Sequence, residues 1–318
     1  MFAFDKIAVI ISEHIHSLVD APQHAAVSIG NFDGLHLGHR KIIQTLTQSG
    51  LPVVVLTFEP HPLTVLRPDH APPRLTPESL KLEILESLGV DHVVLLRPER
   101  ELLDLSARAF YEAVRDGLKP KLMAEGSDFY FGNKRSGTIS LLKKWCAIDS
   151  ISLSIVDDAT SLLAGTQEVS VSSSLVRWLL LHGRTRDASQ CLGDSFSLRG
   201  KVVHGNARGR TIGFPTANLD CGDQLIPADA VYAAMCTIDG RRVAVALSIG
   251  SAPTFQQAAR QVEAHLIDFQ GDLYGRTLTI HIGDWIREQQ KFISKQQLID
   301  QLQRDVLFAR RSIGESQF

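Results

Sequence analysis

The feature of this chain that most constrains its fold is the alternation, over its first half, of short apolar runs with segments of helical periodicity. The run LPVVVLTF, residues 51–58, is apolar almost throughout, as expected for a parallel strand buried on both faces. It is followed by TPESLKLEILESLG, in which Thr76 fits an N-cap, Pro77 the first helical position and Gly89 the stop. Similar pairs recur up to about residue 183. The alternation predicts an α/β domain with a doubly wound, Rossmann-like parallel sheet.

The second half of the chain has a different pattern, in which short strands alternate with turns. The segment VYAAMCTIDGRRVAVALSIG predicts a hairpin, because Asp239 and Gly240 suit a type I′ turn. Other strand-like segments are SLRGKVVHG, VEAHLIDF and RTLTIHIGDWI, and a polar helix begins at about Ser294. Five or six antiparallel strands with a terminal helix predict a small β-barrel. We therefore predict two domains, residues 1–186 and 187–318.

Composition and charge exclude several classes of protein. The chain has 318 residues and is 44% hydrophobic and 21% charged, which is typical of a globular protein. Its net charge of −2 gives no bulk basic field for nucleic acid. The first residues lack the pattern of a secretion signal, and no apolar run approaches the roughly 20 residues needed to span a bilayer. The four cysteines are widely spaced, which favours reduced thiols. These features predict a cytoplasmic protein with no membrane or nucleic-acid partner.

The segment SIGNFDGLHLGH, residues 28–39, lies where the first predicted strand of the α/β half ends and the first predicted helix begins. In an open α/β sheet, ligands bind at the carboxyl ends of the strands. His36 and His39 face the same way at a helix N-terminus, where backbone N–H groups and partial positive charge favour phosphate. Zinc is the alternative ligand, but it normally needs a third protein ligand, and neither an H-E-x-x-H motif nor a cysteine pair supplies one. A structural role for both histidines is a further alternative. We predict a phosphate site.

Two more segments fall at the same predicted edge of the sheet. TFEPHP, residues 57–62, follows the second strand and presents His61, which taken alone favours a structural role. SSSLVR, residues 172–177, opens the last helix of the first half. Its hydroxyl and backbone N–H groups can hold phosphate, and Arg177 can act as a bidentate clamp. The alternative is an ordinary N-cap with a solvated arginine. Three anion-suited segments at one edge favour a shared phosphate site.

In their order, GNFDGLHLGH, TFEPHP, GSDFYFG and SSSLVR resemble the motifs of the adenylyltransferase half of the bacterial bifunctional riboflavin kinase/FMN adenylyltransferases, the FAD synthetases. The resemblance spans nearly the whole chain. It implies an ATP-binding group and a flavin-binding group of residues. The ATP-binding group is Gly30, Phe32, Asp33, His36, His39, Ser172, Ser173 and Arg177, with His36, His39 and Arg177 also catalytic. The flavin-binding group is His61, Asp128 and Phe129. Ser174 and Val176 stand where the family has Thr and Ile, and both substitutions keep the chemistry.

The glycine-rich segment HGNARGRTIGFPTANLD, residues 204–220, opens the predicted barrel. It is no Walker A motif, because no Gly-Lys-Ser/Thr follows, and a plain turn between strands is the simple interpretation. In an extended chain, however, Thr216 and Asn218 point to one face, and their side-chain oxygens are hard ligands that suit Mg²⁺.

GRTIGFPTAN is also similar to the riboflavin kinase signature of the same family. The resemblance implies that Thr216 and Asn218 bind Mg²⁺ and ATP, with Arg210 also at the nucleotide. It further implies that Glu263, in VEAHLIDF, is the catalytic base for the riboflavin 5′-hydroxyl. Ala230 stands where the family usually has Gly, and Ser251 and Ala252 replace the more usual residues before Pro-Thr-Phe. These departures spare Thr216, Asn218 and Glu263.

The predicted function is therefore two-step flavin cofactor synthesis with ATP as co-substrate and Mg²⁺ as cofactor. The barrel phosphorylates riboflavin to FMN, and the α/β half adenylylates FMN to FAD with release of pyrophosphate. One alternative is a single-activity FMN adenylyltransferase whose barrel no longer turns over. Another is a non-catalytic flavin-binding or regulatory protein. The sequence leaves the oligomeric state open.

Overall fold

The computed structural model describes residues 8–12, 18, 21–205, 208–251 and 260–315. The chain divides into two compact units, residues 1–160 and 161–318. The first unit is an α/β layer structure and the second is centred on a barrel, so each is described by itself.

The first unit contains a six-stranded, fully parallel sheet in the order β1-β4-β3-β2-β5-β8. Its strands are β1 (Ala8–Ser12), β2 (Ala26–Gly30), β3 (Val53–Phe58), β4 (His92–Leu96), β5 (Leu122–Gly126) and β8 (Ser152–Val156). Its helices are α1 (Leu37–Thr47), α2 (Leu63–Leu66), α3 (Glu78–Ser87), α4 (Arg100–Leu103), α5 (Ala107–Leu118) and α6 (Ile139–Ile148). A small ribbon of β6 (Tyr130–Phe131) and β7 (Gly137–Thr138) follows β5.

Alternate residues along the central strands enter two separate cores, one on each face of the sheet. Val54 and Leu56 of β3 pack in the core that includes Phe110 of α5. Val55, between them, packs in the core that includes Ile43 of α1. Because both faces are covered, the strand must be apolar at every position, which explains the run VVVL. The predicted doubly wound α/β domain is confirmed.

The strand order reverses between β2 and β5. From β2 the chain continues to β3 on one side of the sheet, whereas β5 lies on the other side of β2. Loops at such a switch point diverge and leave a crevice outside the carboxyl ends of the strands, where ligands of open α/β sheets bind. The segment that follows β2 contains His36 and His39, and the segment that follows β5 contains Asp128 and Phe129.

The second unit contains a closed antiparallel barrel in the order β11-β12-β15-β14-β13-β16. Before the barrel come the hairpin of β9 (Thr160–Leu163) and β10 (Gln167–Ser170), then α7 (Ser173–Leu181) and α8 (Thr185–Leu192). The barrel strands are β11 (Phe196–Val203), β12 (Ala217–Asp220), β13 (Ala230–Ile238), β14 (Arg241–Ser251), β15 (Arg260–Leu266) and β16 (Thr277–Arg287). Helix α9 (Lys295–Glu315) packs against β13, β14 and β16.

The barrel confirms the second part of the fold prediction, including the hairpin turn. Asp239 and Gly240 have φ angles of 50° and 76°, and Ile238 pairs with Arg241 across a two-residue loop. Positive φ at both central residues defines the type I′ turn, whose twist matches that of the flanking strands. The closed barrel also leaves no free edge among its own strands.

The predicted domain boundary after residue 186 falls inside α8 (Thr185–Leu192), and it stays a prediction. Thr185 Oγ1 donates a hydrogen bond of 2.7 Å to the carbonyl of Gly283 in β16, so the first turn of this helix is tied to the barrel. In the part of the chain that the structure describes, every helix is too short or too polar to cross a bilayer.

Candidate active sites

The loop after β2 has a strained backbone that is held by burial. Phe32, Gly34 and Leu35 have φ angles of 47°, 85° and 45°, a region that residues other than glycine seldom adopt. The side chains of Phe32 and Leu35 are fully buried, and their packing offsets this backbone cost. A Cβ added at Gly30 would lie 3.2 Å from the Phe32 ring, so the small residue leaves room for that ring.

Asp33 anchors this loop to a segment more than forty residues later. One of its carboxylate oxygens accepts hydrogen bonds from the backbone N–H groups of Leu75, at 3.1 Å, and Thr76, at 3.0 Å. The Thr76 hydroxyl in turn accepts from the N–H of Gly34, at 3.2 Å. Thr76 was predicted as the N-cap of α3, but the N-cap is Pro77, because the Thr76 hydroxyl bonds this loop instead. The ATP-binding role of Asp33 stays a prediction.

A buried cluster of charges joins the loops that follow β2 and β3. Lys81 of α3 is 4% exposed, and its Nζ lies 3.2 Å from the carbonyl oxygen of Asn31 and 3.3 Å from Glu59 Oε2. Arg74 pairs with the other oxygen of Glu59, at 2.6 Å. Sequence reasoning missed these residues. The only available signal was a charged Lys at an apolar position of the α3 pattern.

His36 and His39 lie together at the start of α1. His36 is the N-cap residue, and the two imidazole rings stack with centroids 3.8 Å apart and an interplanar angle of 19°. The Phe32 ring lies 5.1 Å from that of His39, and a Cβ on Gly38 would lie 3.2 Å from the His36 ring. The predicted position of both histidines, side by side at a helix N-terminus, is confirmed.

The electrostatics of the pair disfavour a positive charge on both histidines. Burial, then the neighbouring His36 and Lys81, lower the pKa of His39 well below its usual value. Among the described residues, the buried Nδ1 of His39 has no hydrogen-bond partner. A bound anion would reverse this balance, because negative charge favours protonated imidazole. The anion-binding role of the histidine pair stays a prediction.

His61 lies beside this loop, and both of its ring nitrogens have contacts. Its Nδ1 accepts from the backbone N–H of Leu63, at 3.1 Å, so the proton of the neutral ring is on Nε2. Nε2 lies 3.3 Å from Asn31 Nδ2, and because two donors cannot bond each other, a hydrogen bond here requires the Asn31 amide to be turned with its oxygen toward Nε2. This arrangement orients His61 toward the histidine loop, and its flavin-binding role stays a prediction.

The predicted flavin residues follow β5. Asp128 is exposed and Phe129 is partly exposed, and the Phe129 ring stacks on that of Phe131 at 5.4 Å. Tyr130 is exposed, and the guanidinium of Arg135 lies 4.4 Å from its ring centroid. These aromatic and polar groups suit a flat ring with polar edges, and their contact with flavin stays a prediction.

The SSSLVR segment begins α7 in the second compact unit. Ser172 is exposed and acts as the N-cap, with its hydroxyl accepting from the N–H of Leu175 at 3.2 Å. Ser173 is the first residue of the helix, and Arg177 lies one turn later on its partly exposed side. The predicted N-terminal helix position is confirmed, whereas a joint triphosphate site with His36 and His39 stays a prediction.

Thr216, Asn218 and Glu263 line one cavity of about 370 Å³ at the mouth of the barrel. Asn218 of β12 pairs directly with Glu263 of β15, and Ser248 of β14 pairs with Glu263 from the other side. Directly paired residues have Cβ atoms roughly 4.5–5.5 Å apart, so the amide, carboxylate and hydroxyl groups meet. A Cβ on Gly205 would overlap the Asn218 amide, which explains the glycine in this segment.

A second cavity of about 400 Å³ lies beside the first. Its lining includes Arg210, Pro215, Phe269 and Tyr274, and Thr216 lines both cavities. The ring of His204 stacks on Tyr274 at 4.0 Å. Arg210 therefore lines the second cavity and Glu263 the first, and the predicted barrel residues divide between two adjoining spaces.

Gln289, between β16 and α9, completes one wall of the Glu263 cavity and was missed by sequence reasoning. Its Nε2 donates to Ser248 Oγ, at 2.9 Å, and to the carbonyls of Ile249, at 2.9 Å, and Ala230, at 3.3 Å. Ala230 is one of the family departures, and it is fully buried at the start of β13.

The other departures lie at the end of β14. Ser251 is its last residue, and Ala252 lies outside the described residues.

Arg287, in the lining of the Glu263 cavity, makes a bidentate contact with the buried Asp305 of α9, with the shortest distance 2.8 Å from Nη2 to Oδ2. This pair ties the helix to the cavity wall.

The donor set of the Glu263 cavity fits Mg²⁺. The Thr216 hydroxyl and the Asn218 amide oxygen are hard oxygen ligands, and they line the same cavity as the Glu263 carboxylate. Across the described ranges of the chain, no group of three or more His, Cys, Asp or Glu side chains is arranged to hold a metal ion. A histidine–thiolate type of centre therefore has no candidate in that part of the chain.

Comparison with protein families gives two matches that follow one another along the chain. The family described as FAD synthetase matches residues 19–174, and the family described as riboflavin kinase matches residues 192–313. The first range contains the histidine loop, and the second contains the barrel cavity. The matches thus fall on the two sites whose geometry is described above.

Full-length relatives have both parts in the same order. The bifunctional riboflavin kinase/FMN adenylyltransferase of Escherichia coli strain K12 is 39% identical over 94% of this chain and 96% of its own length. The protein of the same description from Bacillus subtilis strain 168 is 33% identical over 92% of this chain and 94% of its own length. A crystal structure from Streptococcus pneumoniae, described as a macrolide-efflux protein, is 31% identical over 96% of this chain and 99% of its own, with a TM-score of 0.85. With one chain matching both families and these relatives over nearly its whole length, the protein belongs to the bifunctional riboflavin kinase/FMN adenylyltransferase family.

Proposed function

We propose that this chain makes FMN from riboflavin in its barrel and FAD from FMN at the switch point of its α/β sheet. Both family matches and the bifunctional relatives support flavin cofactor synthesis by both activities. The observation that carries the proposal is the meeting of Thr216, Asn218 and Glu263 in one cavity, together with the stacked His36 and His39 at the N-terminus of α1.

In the kinase step, Glu263 accepts the proton of the riboflavin 5′-hydroxyl while that oxygen attacks the γ-phosphorus of ATP, and ADP leaves. The two adjoining cavities support this assignment. Riboflavin occupies the cavity with Glu263, the nucleotide occupies the one with Arg210, and Thr216 lies on the boundary that the phosphoryl group crosses.

Thr216 and Asn218 hold Mg²⁺ with the phosphates in this proposal. When bound, the ion neutralises charge on the phosphate oxygens as the transition state forms. The chain's own contribution is to hold these two oxygens in fixed positions on β12. The ladder between Asn218 and Glu263 keeps the carboxylate beside them.

In the adenylylation step, a phosphate oxygen of FMN attacks the α-phosphorus of ATP, and pyrophosphate leaves. His36 and His39 hold the triphosphate and donate hydrogen bonds to its oxygens as charge develops there. Gly30, Phe32 and Asp33 shape the loop that carries the two histidines. The resemblance to the family further assigns Ser172, Ser173 and Arg177 to ATP binding, and His61, Asp128 and Phe129 to flavin binding.

The remaining parts of the proposal concern the protein as a whole. Residues 1–186 form the adenylyltransferase domain and residues 187–318 the kinase domain. The ligands are ATP, riboflavin, FMN and FAD, with no nucleic-acid or membrane partner, in agreement with a net charge of −2. The location is the cytoplasm.

A single incubation tests the proposal. The purified chain is mixed with riboflavin and Mg-ATP, and riboflavin, FMN and FAD are separated by chromatography over time. We expect FMN to form first and FAD to follow. If the chain formed FAD when FMN replaced riboflavin but formed no FMN from riboflavin, the result would favour a single-activity adenylyltransferase. Flavin binding without any product would favour a non-catalytic protein. Omission of Mg²⁺ should stop both conversions.

A further inference from the structure

The parallel sheet of the first unit opens between its two central strands. β2 pairs with β3 along five residues, from Ala26 to Gly30, and β5 pairs with β8 along five residues, from Leu122 to Gly126. Between β2 and β5, however, only two residue pairs are formed, Ala26 with Leu122 and Val27 with Met123. The sheet is therefore continuous on both sides of an opening that begins at the level of Ser28.

The side chain of Glu125 occupies this opening. Its Oε1 accepts a hydrogen bond of 2.9 Å from the backbone N–H of Ile29, and its Oε2 lies 3.3 Å from the Ser28 hydroxyl. Glu125 is 1% exposed, and Ser28 is fully buried. The carboxyl group thus takes the place of the next bonds in the ladder, and it satisfies a buried N–H that would otherwise lack an acceptor.

Burial of Glu125 favours a neutral carboxyl group, although its two hydrogen bonds favour the charged form. Burial raises its pKa well above the usual value, while the hydrogen bonds from Ile29 and Ser28 oppose that shift only in part. The Ser28 hydroxyl donates to Glu125 Oε2, but a hydroxyl can rotate to accept instead, so a neutral carboxyl or a carboxamide can accept from Ile29 with one atom and donate to Ser28 with the other. Glutamine can therefore reproduce the contacts, whereas methionine can fill the space without them.

The two strands that Glu125 joins carry the two halves of the adenylylation site. β2 ends one residue after Ile29 and leads to His36 and His39, and β5 ends one residue after Glu125 and leads to Asp128. We propose that Glu125 is a positioning residue for adenylylation, which sets the separation of β2 and β5 and so the distance between the nucleotide loop and the flavin loop. This inference rests on the proposed function.

Glu125→Gln and Glu125→Met test it in the full-length protein. Misplacement of reacting groups by about 1 Å can cost on the order of 10²-fold, so we expect Glu125→Met to lower kcat for FAD formation roughly 10- to 100-fold. The KM values for ATP and FMN should change less, because the loops still contact each substrate. Glu125→Gln should restore kcat to near wild type. Glu101→Met, an exposed substitution of the same kind on α4, is the matched control.

Riboflavin phosphorylation by the same preparations serves as the internal reference, because the barrel lies in the other unit. Wild-type kcat and KM in a folded Glu125→Met protein would overturn the inference. An equal loss of kcat for FAD formation in Glu125→Gln and Glu125→Met would also overturn the inference, because an ionisable group would then be required at this position. If the Met variant does not fold, Ser28→Ala removes only one contact and should lower kcat several-fold, and no change would overturn the inference. No FAD from wild type would overturn the proposed function itself.

Discussion

The two candidate sites are built in different ways. In the barrel, Asn218, Glu263 and Ser248 are cross-strand neighbours, so strand register alone brings them together. In the α/β unit, His36 and His39 follow a loop with positive φ angles, which is held by bonds to residues 42–50 positions later. The barrel site is a property of regular secondary structure, whereas the histidine site depends on long-range polar contacts.

This difference determines how each site should respond to mutation. A substitution on a barrel strand removes a functional group and leaves the ladder intact, so its effect should be on chemistry. A substitution in the network around the histidine loop removes support, so it should change both stability and adenylylation. The following predictions test this contrast, beginning with the largest expected effect.

Glu263→Gln should abolish most of the kinase activity. Glutamine keeps the shape of the side chain but cannot take the proton of the riboflavin hydroxyl, and general-base catalysis is worth roughly 10²–10⁴-fold in kcat. The KM for riboflavin should change little, because the loss is confined to the transition state. Steady-state formation of FMN is the measurement.

Two comparisons make the Glu263 result specific. Glu288→Gln, at an exposed position of the same unit, should leave FMN formation unchanged. FAD formation from supplied FMN should persist in Glu263→Gln, because the residues proposed for adenylylation lie outside the barrel strands. FMN formation by Glu263→Gln at near wild-type rate would refute the proposed role.

His36→Ala should lower kcat for adenylylation by roughly 10²–10³, the range seen when one donor to a developing negative charge is lost. Riboflavin phosphorylation should remain near wild type, and His70→Ala, at an exposed position of the same unit, is the matched control. The measurement is FAD formation from FMN and ATP. Stoichiometric zinc in the purified protein, released by His36→Ala, would contradict the phosphate interpretation.

The contrast also explains how much could be predicted from sequence. Alternating periodicity was sufficient for the fold of both units, because burial on two faces leaves a continuous apolar strand and burial on one face leaves an alternating one. The same alternation placed Thr216 and Asn218 on one face. The roles of Lys81, Glu59 and Glu125 could not be predicted, because a buried charge becomes meaningful only when its partners, far along the chain, are known.

Lys81→Met should destabilise the α/β unit and slow adenylylation. Removal of one partner of a buried ion pair typically costs about 3–5 kcal/mol, and the remaining contact of Glu59 with Arg74 should hold the loss to the lower end of that range. Thermal unfolding and FAD formation are measured together, with the exposed Lys144→Met as the control. Unchanged stability with normal adenylylation would show that the histidine loop does not depend on this network.

The smallest effect concerns the charge state of Glu125 and its dependence on pH. Burial raises the pKa of this carboxyl well above the usual value, so the folded protein keeps a proton that the unfolded chain releases above about pH 4.3. As pH rises from there toward the folded pKa, wild-type protein loses stability, at most about 1.4 kcal/mol per pH unit. Glu125→Gln has no such proton. Cys146, whose pKa burial raises to about 11, stays neutral across this range.

We therefore expect the unfolding temperature of Glu125→Gln to rise relative to that of wild type as the pH increases from 5 to 8. Thermal unfolding followed by circular dichroism at one-unit steps of pH is the measurement. The direction decides the outcome, because an ordinary ion-paired carboxylate is ionised in both the folded and the unfolded state above about pH 5 and would give no trend in this range. A difference that is constant with pH would show that Glu125 is charged in both states, and the opening between β2 and β5 would then be held by a carboxylate.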